Sequence, residues 1–230
     1  MNANVIPITP EPRTALHEQV AAQLREMLVE GRIAPGAKLN ERELSEVLRV
    51  SRTPLREAIR MLAAEGLVEL LPNRGAIALT LSEADVLHTF EVMAGLEALS
   101  GELAAQRITD AELAEIHAMH YEMLAAFTRR DLPAYYRINA SIHSAINAAA
   151  RNPVLCTTYR QVNARLQALR FRSNQDGEKW GAAVKEHEHM IEALQRRDSA
   201  AMRELLTEHL NNKRDVVVAQ LREQAQGARA

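Results

Sequence analysis

The sequence predicts a mainly α-helical protein in two parts: a small N-terminal unit with two short strands and a larger all-helical unit of about six helices. Two observations support this fold class. Only 3% of the 230 residues are aromatic while 47% are hydrophobic, so the core is mostly aliphatic and favours helices. Apolar residues recur at helical spacing along most of the chain, whereas residues 67–80 show short apolar runs around a turn.

Composition excludes several classes of protein. The single cysteine, Cys156, excludes an internal disulfide and any cysteine-based zinc site, and it fits a reducing compartment. We find neither an apolar run near the ~18 residues of a membrane span nor a signal-peptide pattern, so we expect a cytoplasmic protein without membrane contact. A formal net charge of −2 argues against nonspecific coating of nucleic acid. The few aromatic rings argue against a stacking platform for single strands.

The first predicted elements are a flexible arm and two helices. Three prolines and the lack of an apolar pattern predict the arm, over residues 1–13. An apolar stripe then predicts a helix over residues 14–30. The stripe consists of Leu16, Val20, Leu24, Met27 and Leu28. Asn40 and Glu43 have the spacing of a capping box, which predicts a short second helix to about Leu48.

The third helix carries the most informative pattern. Ser51 is placed as its N-cap, Pro54 falls in its first turn and Gly66 ends it. Its apolar face consists of Leu55, Ala58, Ile59 and Leu62. Beside that face, at i, i+4 and i+8, stand Arg52, Arg56 and Arg60. Such a row can bind phosphate or read guanine, although it also fits an ordinary solvated face. Two short helices joined this tightly, with arginine at the start of the second, are typical of a helix-turn-helix.

A β-hairpin is predicted directly after this helix. Residues 67–71 and 76–80 are short apolar runs, and the sequence PNRG between them has turn chemistry. A helix-turn-helix followed by such a hairpin is a winged helix. Arg74 stands beside Gly75 at the tip of the wing, where it can reach a minor groove or a phosphate.

The segment LNERELSEVLRVSRTPLREAIRMLAAEGLVELLPNRGA resembles the DNA-binding domain of the GntR family of bacterial transcriptional regulators. The resemblance covers residues 16–80, and we predict a DNA-binding domain over residues 14–80. It implies that the second helix, the third helix and the wing contact DNA. The implied contact residues are Arg42, Arg52, Thr53, Arg56, Arg74 and Gly75, with Arg32 as a further candidate.

The rest of the chain is predicted to be an all-helical domain over residues 82–222, followed by a frayed tail at residues 223–230. Ser82 is placed to cap its first helix, and Thr109 with Glu112 has the spacing of a capping box. An apolar stripe on the first helix consists of Val92, Leu96, Leu99 and Leu103. Further helices are predicted over residues 109–130, 132–150, 154–172, 179–197 and 200–222, the last capped by Asp198 or Ser199.

Three histidines fall on or beside the apolar faces of three different helices. They are His143, His187 and His209. A lone buried histidine is more often a core residue with satisfied hydrogen bonds, but three on separate helices of one bundle favour convergence on one metal ion. His117, His120 and His189 do not share this pattern, and we interpret them as surface residues.

The segments NASIHSAI, KEHEHMIEAL and LLTEHL resemble the FCD domain, the helical ligand-binding domain of the FadR subfamily. This resemblance implies a divalent metal, zinc first with nickel or manganese as alternatives. The implied ligands are Asn139, His143, His187 and His209. Met93 stands where the family often has an effector-binding arginine, and Arg165 and Arg172 are the candidate replacements.

Together these patterns predict a homodimeric, sequence-specific transcriptional regulator and not an enzyme. We expect a repressor whose two winged helices read a pseudo-palindromic operator in double-stranded DNA. A small organic-acid metabolite bound at or near the metal is expected to control it. One alternative is a metal-dependent helical enzyme with an accessory DNA-binding domain; however, Glu186 and Glu188 point to other helix faces than His187, so neither is a convincing general base. The other alternative is a DNA-binding dimer whose helical domain is metal-free and structural.

Overall fold

The computed structural model describes residues 15–72, 74–173 and 177–227 of the chain. It does not describe the side chains at positions 168, 172–173, 177–179, 224–225 and 227. The predicted arm at residues 1–13 lies outside the described residues. The described part contains nine helices and one three-stranded sheet. This confirms the predicted fold class of a winged helix-turn-helix followed by an all-helical bundle.

The N-terminal unit has the expected elements and one additional strand. In chain order they are α1 (Leu16–Val29), β1 (Lys38–Leu39), α2 (Glu41–Leu48), α3 (Arg52–Ala64), β2 (Val68–Leu71) and β3 (Gly75–Ala78). The sheet order is β1-β3-β2, and both pairs are antiparallel. Strand β1 escaped prediction because two residues are too few to show alternation, yet Leu39 is buried and pairs with Ala76. Leu24, Leu55 and Leu62 lie fully buried in the shared core.

The predicted caps of the helix-turn-helix form in different ways. The Asn40 side chain accepts a hydrogen bond from the Arg42 backbone N–H at 3.1 Å. Glu43 accepts a bond from the Asn40 side-chain amide at 2.7 Å and not from its backbone, so the capping box forms only in part. Ser51 occupies the N-cap position of α3 but makes no capping hydrogen bond. Arg49 ends α2 with a left-handed φ of 54°, which turns the chain toward α3.

The larger unit contains six described helices. They are α4 (Glu83–Arg107), α5 (Asp110–Thr128), α6 (Leu132–Ala149), α7 (Pro153–Ser173), α8 (Gly177–Gln195) and α9 (Ser199–Gly227). Full capping boxes begin the first two of these helices: Ser82 pairs with Asp85, and Thr109 pairs with Glu112. Both positions agree with the predicted helix starts, since the short polar side chains satisfy backbone N–H groups that lack partners in the helix.

Helix α4 buries a different face from the one that the sequence pattern favours. The predicted stripe that begins at Val92 lies on the outer side, where Val92 is 53% exposed and the three leucines are half-buried. The buried face includes Val86, Phe90, Met93, Glu97, Ser100 and Ala104. Because Glu97 and Ser100 interrupt this second stripe, the pattern looks polar in the sequence. Gly101 lets α9 approach so closely that an added Cβ would collide with Leu206.

The last helix continues beyond its predicted end. We expected α9 to stop near Arg222 and a frayed tail to follow, but the helix runs to Gly227. Val217 and Val218 are buried and Leu221 packs against the same cluster, so the last turns continue from a well-anchored stretch. At the other end, Asp198 is the cap, since its Oδ1 accepts the Ala201 backbone N–H at 3.0 Å.

Helix α7 forms the contact between the two units. Ala164 of α7 belongs to the apolar core of the winged helix. Further along α7, Phe171 packs with Val29 of α1 and with Tyr136 of α6, whose ring meets it edge-on with centroids 5.3 Å apart. The Tyr136 hydroxyl donates to the carbonyl of Gln167 at 2.8 Å, which joins α6 to α7. The winged helix therefore rests on a helix that also belongs to the core of the bundle.

Within the described residues, none of the helices combines the length and the apolar composition needed to cross a membrane.

Candidate nucleic-acid interface and metal centre

The first candidate site is the outer surface of α2 and α3. Arg52, Thr53 and Arg56 lie in the first turns of α3 with exposed side chains, and Arg42 is exposed in the first turn of α2. The apolar residues of α3 point the other way into the core, as their spacing predicts. Exposed guanidinium groups at a helix N-terminus can bind phosphates or guanine edges.

Carboxylates of the same unit pair with several of these arginines. The pairs, with their N–O distances, are Arg42–Glu46 (3.3 Å), Arg56–Glu41 (2.8 Å) and Arg60–Glu57 (2.7 Å). Exposed ion pairs of this kind contribute only about 0–1 kcal/mol, so a DNA phosphate can replace the carboxylate. Arg52 makes no ion pair with any side chain in the described part of the chain, and its guanidinium can meet DNA without breaking a contact.

The wing carries a basic residue that the sequence pattern did not indicate. Arg74 and Gly75 are exposed at the tip, and Gly75 has a left-handed φ of 90°. Lys38 of β1 is also exposed, and its Cε lies 3.7 Å from the position of a Cβ added at Gly75. Only the pairing of β1 with β3 brings Lys38 to the wing, so sequence spacing could not identify it.

Arg32 lies beyond the end of α1 and is held by acidic residues. Its Nε donates to Glu30 at 2.9 Å, and its Nη2 lies 3.7 Å from a carboxylate oxygen of Glu26. The side chain is 52% exposed, so the guanidinium remains accessible to a phosphate that displaces these partners.

The second candidate site is a cluster of three buried histidines. His143 of α6, His187 of α8 and His209 of α9 are each at most 3% exposed. Their ring centroids lie 5.0 to 5.3 Å apart. One ligand nitrogen from each ring can be chosen such that all three lie within 4.8 Å of one another, close enough for one ion to reach them all. The predicted convergence of the three helices on one point is therefore present.

Two carboxylates orient the rings of this cluster. Glu97 Oε2 lies 2.8 Å from Nδ1 of His143, and Glu186 Oε2 lies 2.5 Å from Nδ1 of His209. A carboxylate that accepts from Nδ1 keeps the proton there and leaves Nε2 with a free lone pair. Asn212 donates to the other oxygen of Glu186 at 2.8 Å, which fixes that carboxylate in turn.

Burial disfavours the charged forms of His187 and His209. It lowers the pKa of His187 well below the usual range, and the neighbouring His143 and His209 lower it further. Burial also lowers the pKa of His209, although its hydrogen bond with Glu186 opposes the shift. Burial by itself raises the pKa of the Glu97 carboxyl, but the charges of His143 and Arg170 outweigh this and bring it to about 2. Neutral imidazoles backed by ionised carboxylates are the form that binds a metal.

The ring nitrogens left over fit a divalent metal. His143 Nε2, His209 Nε2 and both nitrogens of His187 are buried and lack a hydrogen-bond partner within the described part of the protein. An unsatisfied buried polar atom costs about 1–3 kcal/mol, so several at one point indicate a bound group. Three imidazoles suit zinc or nickel better than manganese, which prefers oxygen ligands, and such a site leaves positions open for water or another ligand.

Asn139 and Met93 lie near this centre on two of its helices. Asn139 is half-buried on α6, one helical turn before His143, so its role as a fourth ligand stays a prediction. Met93 is fully buried on α4, one turn before Glu97, and it packs among apolar side chains that include Tyr159.

The cation beside the histidines is not one of those we expected. Arg165 lies against Gly66 at the contact between the two units, where a Cβ added at Gly66 would be 2.9 Å from its Nε, and its role in effector binding stays a prediction. The side chain of Arg172 lies outside the described residues. Arg170 takes this place: it is 5% exposed and its Nη2 lies 3.3 Å from Oε1 of Glu97. Its Nη1 donates to Asn163 at 2.9 Å.

The sequence contained a signal for Arg170. Buried positions of α7 follow one another at intervals of three or four residues: Leu155, Tyr159, Asn163, Leu166 and Arg170. A polar residue on such a stripe indicates a buried hydrogen-bonding group. A similar correction applies to α5, where His120 is only 5% exposed and not a surface residue, while His117 is half-buried. His189 is exposed as predicted.

Comparison with known families decides the assignment of both units. Residues 16–77 match the gntR family of bacterial regulatory proteins, and residues 88–212 match the FCD domain. The chain belongs to the GntR family. Its larger unit is an FCD domain, and the three histidines and Glu97 lie within the matched residues.

Several GntR relatives resemble this regulator over most of its length. It is 27% identical over 199 residues to the HTH-type transcriptional repressor RspR of Escherichia coli, covering 86% of this chain and 87% of the relative. It is 31% identical over 147 residues to the Nta operon transcriptional regulator of Aminobacter aminovorans, covering 63% and 69%. A probable D-xylose utilization operon transcriptional repressor of Paenarthrobacter nicotinovorans is 27% identical over 195 residues, covering 83% and 85%.

Solved structures share the fold of this GntR protein. Escherichia coli McbR/YncC superimposes with a TM-score of 0.82 at 22% identity, covering 91% of this chain and all of that one. A putative GntR regulator from Rhodococcus sp. RHA1 has a TM-score of 0.73 at 19% identity, covering 88% and 97%.

The GntR protein is a DNA-binding transcriptional regulator and not an enzyme, as its family and relatives are. The position of Glu186 agrees with this, because its two oxygens are engaged with His209 and Asn212. It orients a ring instead of standing free as a general base.

Proposed function

We propose that this protein is a sequence-specific repressor whose hold on its operator is controlled by a small organic acid bound at or beside a divalent metal. The metal is held by His143, His187 and His209, with Asn139 as a fourth ligand. The observation that carries this proposal is the set of buried, unpartnered ring nitrogens at the point where three helices meet. The winged helix on the same chain, with its exposed arginines, would convert effector binding into a change in DNA binding.

A cavity beside the histidines indicates the size and charge of the effector. Its volume is about 140 Å³, and it reaches His209. The other lining residues are Ala182, Ala183, Glu186, Asn212, Lys213 and Val216. This volume is well below the ~300–1,000 Å³ typical of pockets for drug-sized ligands, so a small metabolite fits. Lys213 on the wall is an amine whose pKa burial lowers to about 7. The carboxylate of a bound acid would stabilise its charged form.

We propose a homodimer in which the outer face of α4 contacts its copy. Val92 is 53% exposed, and Leu96, Leu99 and Leu103 continue its stripe as half-buried residues. A helix that carries apolar stripes on two sides calls for a second partner surface. A twofold dimer carries two equivalent winged helices, so its operator is a pseudo-palindrome.

Two considerations bear on whether the effector releases the protein from DNA. Two of the relatives bear names that make them repressors, which supports repression here. An effector that releases the protein from DNA must bind the DNA-free state more tightly, and by linkage DNA lowers effector affinity by the same factor.

The FadR subfamily, whose signature the histidine segments resemble, is the subgroup in which we place the protein.

The metal is tested first, by elemental analysis of untagged protein purified without chelator. We expect about one zinc, nickel or manganese ion per chain in the wild type and in His189→Ala, an exposed histidine on the same helix as His187. His143→Ala should lose it. A wild type that holds no metal even after reloading would remove the sensor mechanism and leave a DNA-binding protein with a structural bundle.

The effector is tested by thermal denaturation of zinc-loaded protein with a panel of mono-, di- and tricarboxylic acids. An acid that raises Tm in the wild type should do so less in Lys213→Met and should weaken binding to a duplex selected by the wild type from a randomised pool. Acids that raise Tm equally in Lys213→Met would contradict the cavity as the binding site. Tighter DNA binding in their presence would make the effector a corepressor instead of an inducer.

A further inference from the structure

Glu97 contacts two groups that belong to different parts of the mechanism. It is 2% exposed on α4, and one of its oxygens lies 2.8 Å from Nδ1 of His143 while the other lies 3.3 Å from Nη2 of Arg170. We propose that Glu97 is a positioning residue that couples the histidine centre to the DNA-binding unit through Arg170 and α7. This proposal rests on the proposed function, since it requires that the histidines hold a metal.

The connection from Arg170 to the winged helix is short. Ala164, Arg165 and Phe171 of the same helix all contact the DNA-binding unit: the first in its core, the second at Gly66 and the third at Val29. Ala164 and Arg170 are six residues apart, so about 9 Å of one helix separates Arg170 from the residue that enters the core of the winged helix. A rigid element of that length transmits a displacement or a change in mobility directly.

The orientation of His143 links the metal to Glu97. An ion held at Nε2 would keep the proton of the neutral His143 ring on Nδ1, which lies 2.8 Å from Oε2 of Glu97. Without an ion, the proton can occupy either nitrogen, and the bond to Glu97 is no longer enforced. The Glu97 carboxylate then loses one of the two contacts that fix its position, so its pairing with Arg170 becomes less well ordered. Occupation of the metal centre would therefore determine how firmly Arg170, and with it α7, is held.

The burial of these groups makes the coupling strong. Arg170 is 5% exposed and Glu97 is 2% exposed, so water cannot replace either partner. The loss of one member of a buried ion pair leaves an uncompensated charge, whereas the loss of both is tolerated much better. Asn163, which accepts from Arg170 at 2.9 Å, lies one residue before Ala164, at the contact with the winged helix.

The test is hydrogen exchange of the full chain, stripped of metal with a chelator and measured with and without saturating zinc. Calorimetry on the same samples records zinc affinity. In the wild type, zinc should slow exchange about fivefold or more at the amides around Val29 and Gly66, at the contact between the units. These amides lie in the winged helix and are far in sequence from every proposed metal ligand.

Variants then separate zinc binding from coupling. Arg170→Met should keep zinc affinity within about threefold of the wild type yet lose the slowing at Val29 and Gly66. Arg170→Lys should restore part of it, because the charge is retained. Glu97→Gln should lose the slowing and also lower zinc affinity by about 10–100-fold, as expected when a carboxylate that orients a ligand is removed.

Matched controls and a double variant exclude simple unfolding. Glu115→Gln and Arg196→Met replace exposed residues on α5 and α8 and should behave as the wild type. The double variant of Glu97→Gln with Arg170→Met removes both buried charges, and it should fold, bind zinc weakly and show no slowing at saturation.

The outcomes distinguish the two levels of the proposal. A wild type that does not bind zinc or another divalent metal overturns the metal part of the proposed function and the coupling with it. Zinc binding that leaves exchange at Val29 and Gly66 unchanged overturns the coupling alone. Full slowing in a folded Arg170→Met variant also overturns it.

Discussion

Charged side chains are exposed on the DNA-binding face and buried at the histidine centre. On the winged helix, Arg56 pairs with Glu41 while 57% of the arginine side chain remains exposed. In the bundle, Glu97 pairs with His143 and Arg170 where none of the three is more than 6% exposed. The distances are similar, at 2.8 Å for the exposed pair and 2.8 to 3.3 Å for the buried ones.

Exposure decides which of these contacts a ligand can replace. An exposed ion pair is worth about 0–1 kcal/mol, so a polyanion exchanges easily with the carboxylate. Breaking one side of a buried pair costs about 3–5 kcal/mol, so the histidine centre keeps its geometry. Exposed ion pairs suit a surface that must accept any of several phosphates. Buried ion pairs suit a site that must hold one ion in a fixed geometry. Four substitutions or conditions test this contrast.

The largest effect should come from His187→Ala. This change removes one of three buried imidazoles, and we expect zinc affinity to fall by more than ~100-fold. Binding of the metal-free protein to a selected duplex should remain within about twofold of the metal-free wild type, because the winged helix is untouched. Calorimetry and fluorescence anisotropy measure the two quantities. If His187→Ala kept the zinc affinity of the wild type and of the control His189→Ala, His187 would not be a ligand of the metal centre.

Arg52→Ala should have the next largest effect, at the other site. If Arg52 reads a guanine, affinity for the selected duplex should fall by about 1–3 kcal/mol and base preference at one position should relax. Competition with single-base variants of the duplex measures both. Arg196→Ala, an exposed arginine of α8, is the matched control. A uniform loss on every sequence would make Arg52 a phosphate contact.

Acid should destabilise the metal-free bundle by about 1–2 kcal/mol between pH 7.5 and 5.5. Because burial lowers the pKa of His187 and of His209, the unfolded chain binds more protons than the folded chain below about pH 6.5. Stability is therefore lost as the pH falls through that value. Glu97, with a pKa of about 2, stays ionised in this window and contributes no slope.

Denaturant unfolding at the two pH values measures this effect. In His187→Gln the loss on acidification should be about 1 kcal/mol smaller, whereas in His189→Gln it should match the wild type. Identical losses in the wild type and His187→Gln would show that this ring is not held neutral by burial.

The smallest effect should come from Glu41→Gln. Removal of this carboxylate releases Arg56, and we expect the selected duplex to bind up to about fivefold more tightly at low salt. The gain should shrink as salt rises, since the contact is exposed. Glu18→Gln, an exposed change on α1, controls for the general loss of negative charge. Weaker binding of Glu41→Gln would mean that this carboxylate positions Arg56 for DNA.

Much of the fold could be predicted because its signals are local. The caps at Ser82 and Thr109 and the apolar spacing of α3 each lie within a few residues of the element they define. The FCD and GntR segments were recognisable for the same reason. The two-residue strand β1 and the true buried face of α4 were missed, since one is too short for a pattern and Glu97 conceals the other.

The candidate metal centre could likewise be predicted only in part. The sequence alone showed that His143, His187 and His209 lie on or beside apolar faces of three helices, because helical spacing determines the side on which a residue lies. The packing of the helices was needed to show which carboxylates orient two of the rings and that Arg170, not Arg165, lies beside them. These contacts join residues 23 to 73 positions apart, and the packing of whole helices sets such distances. Spacing along one helix specifies direction; the meeting of several helices in space depends on how all of their buried faces pack together.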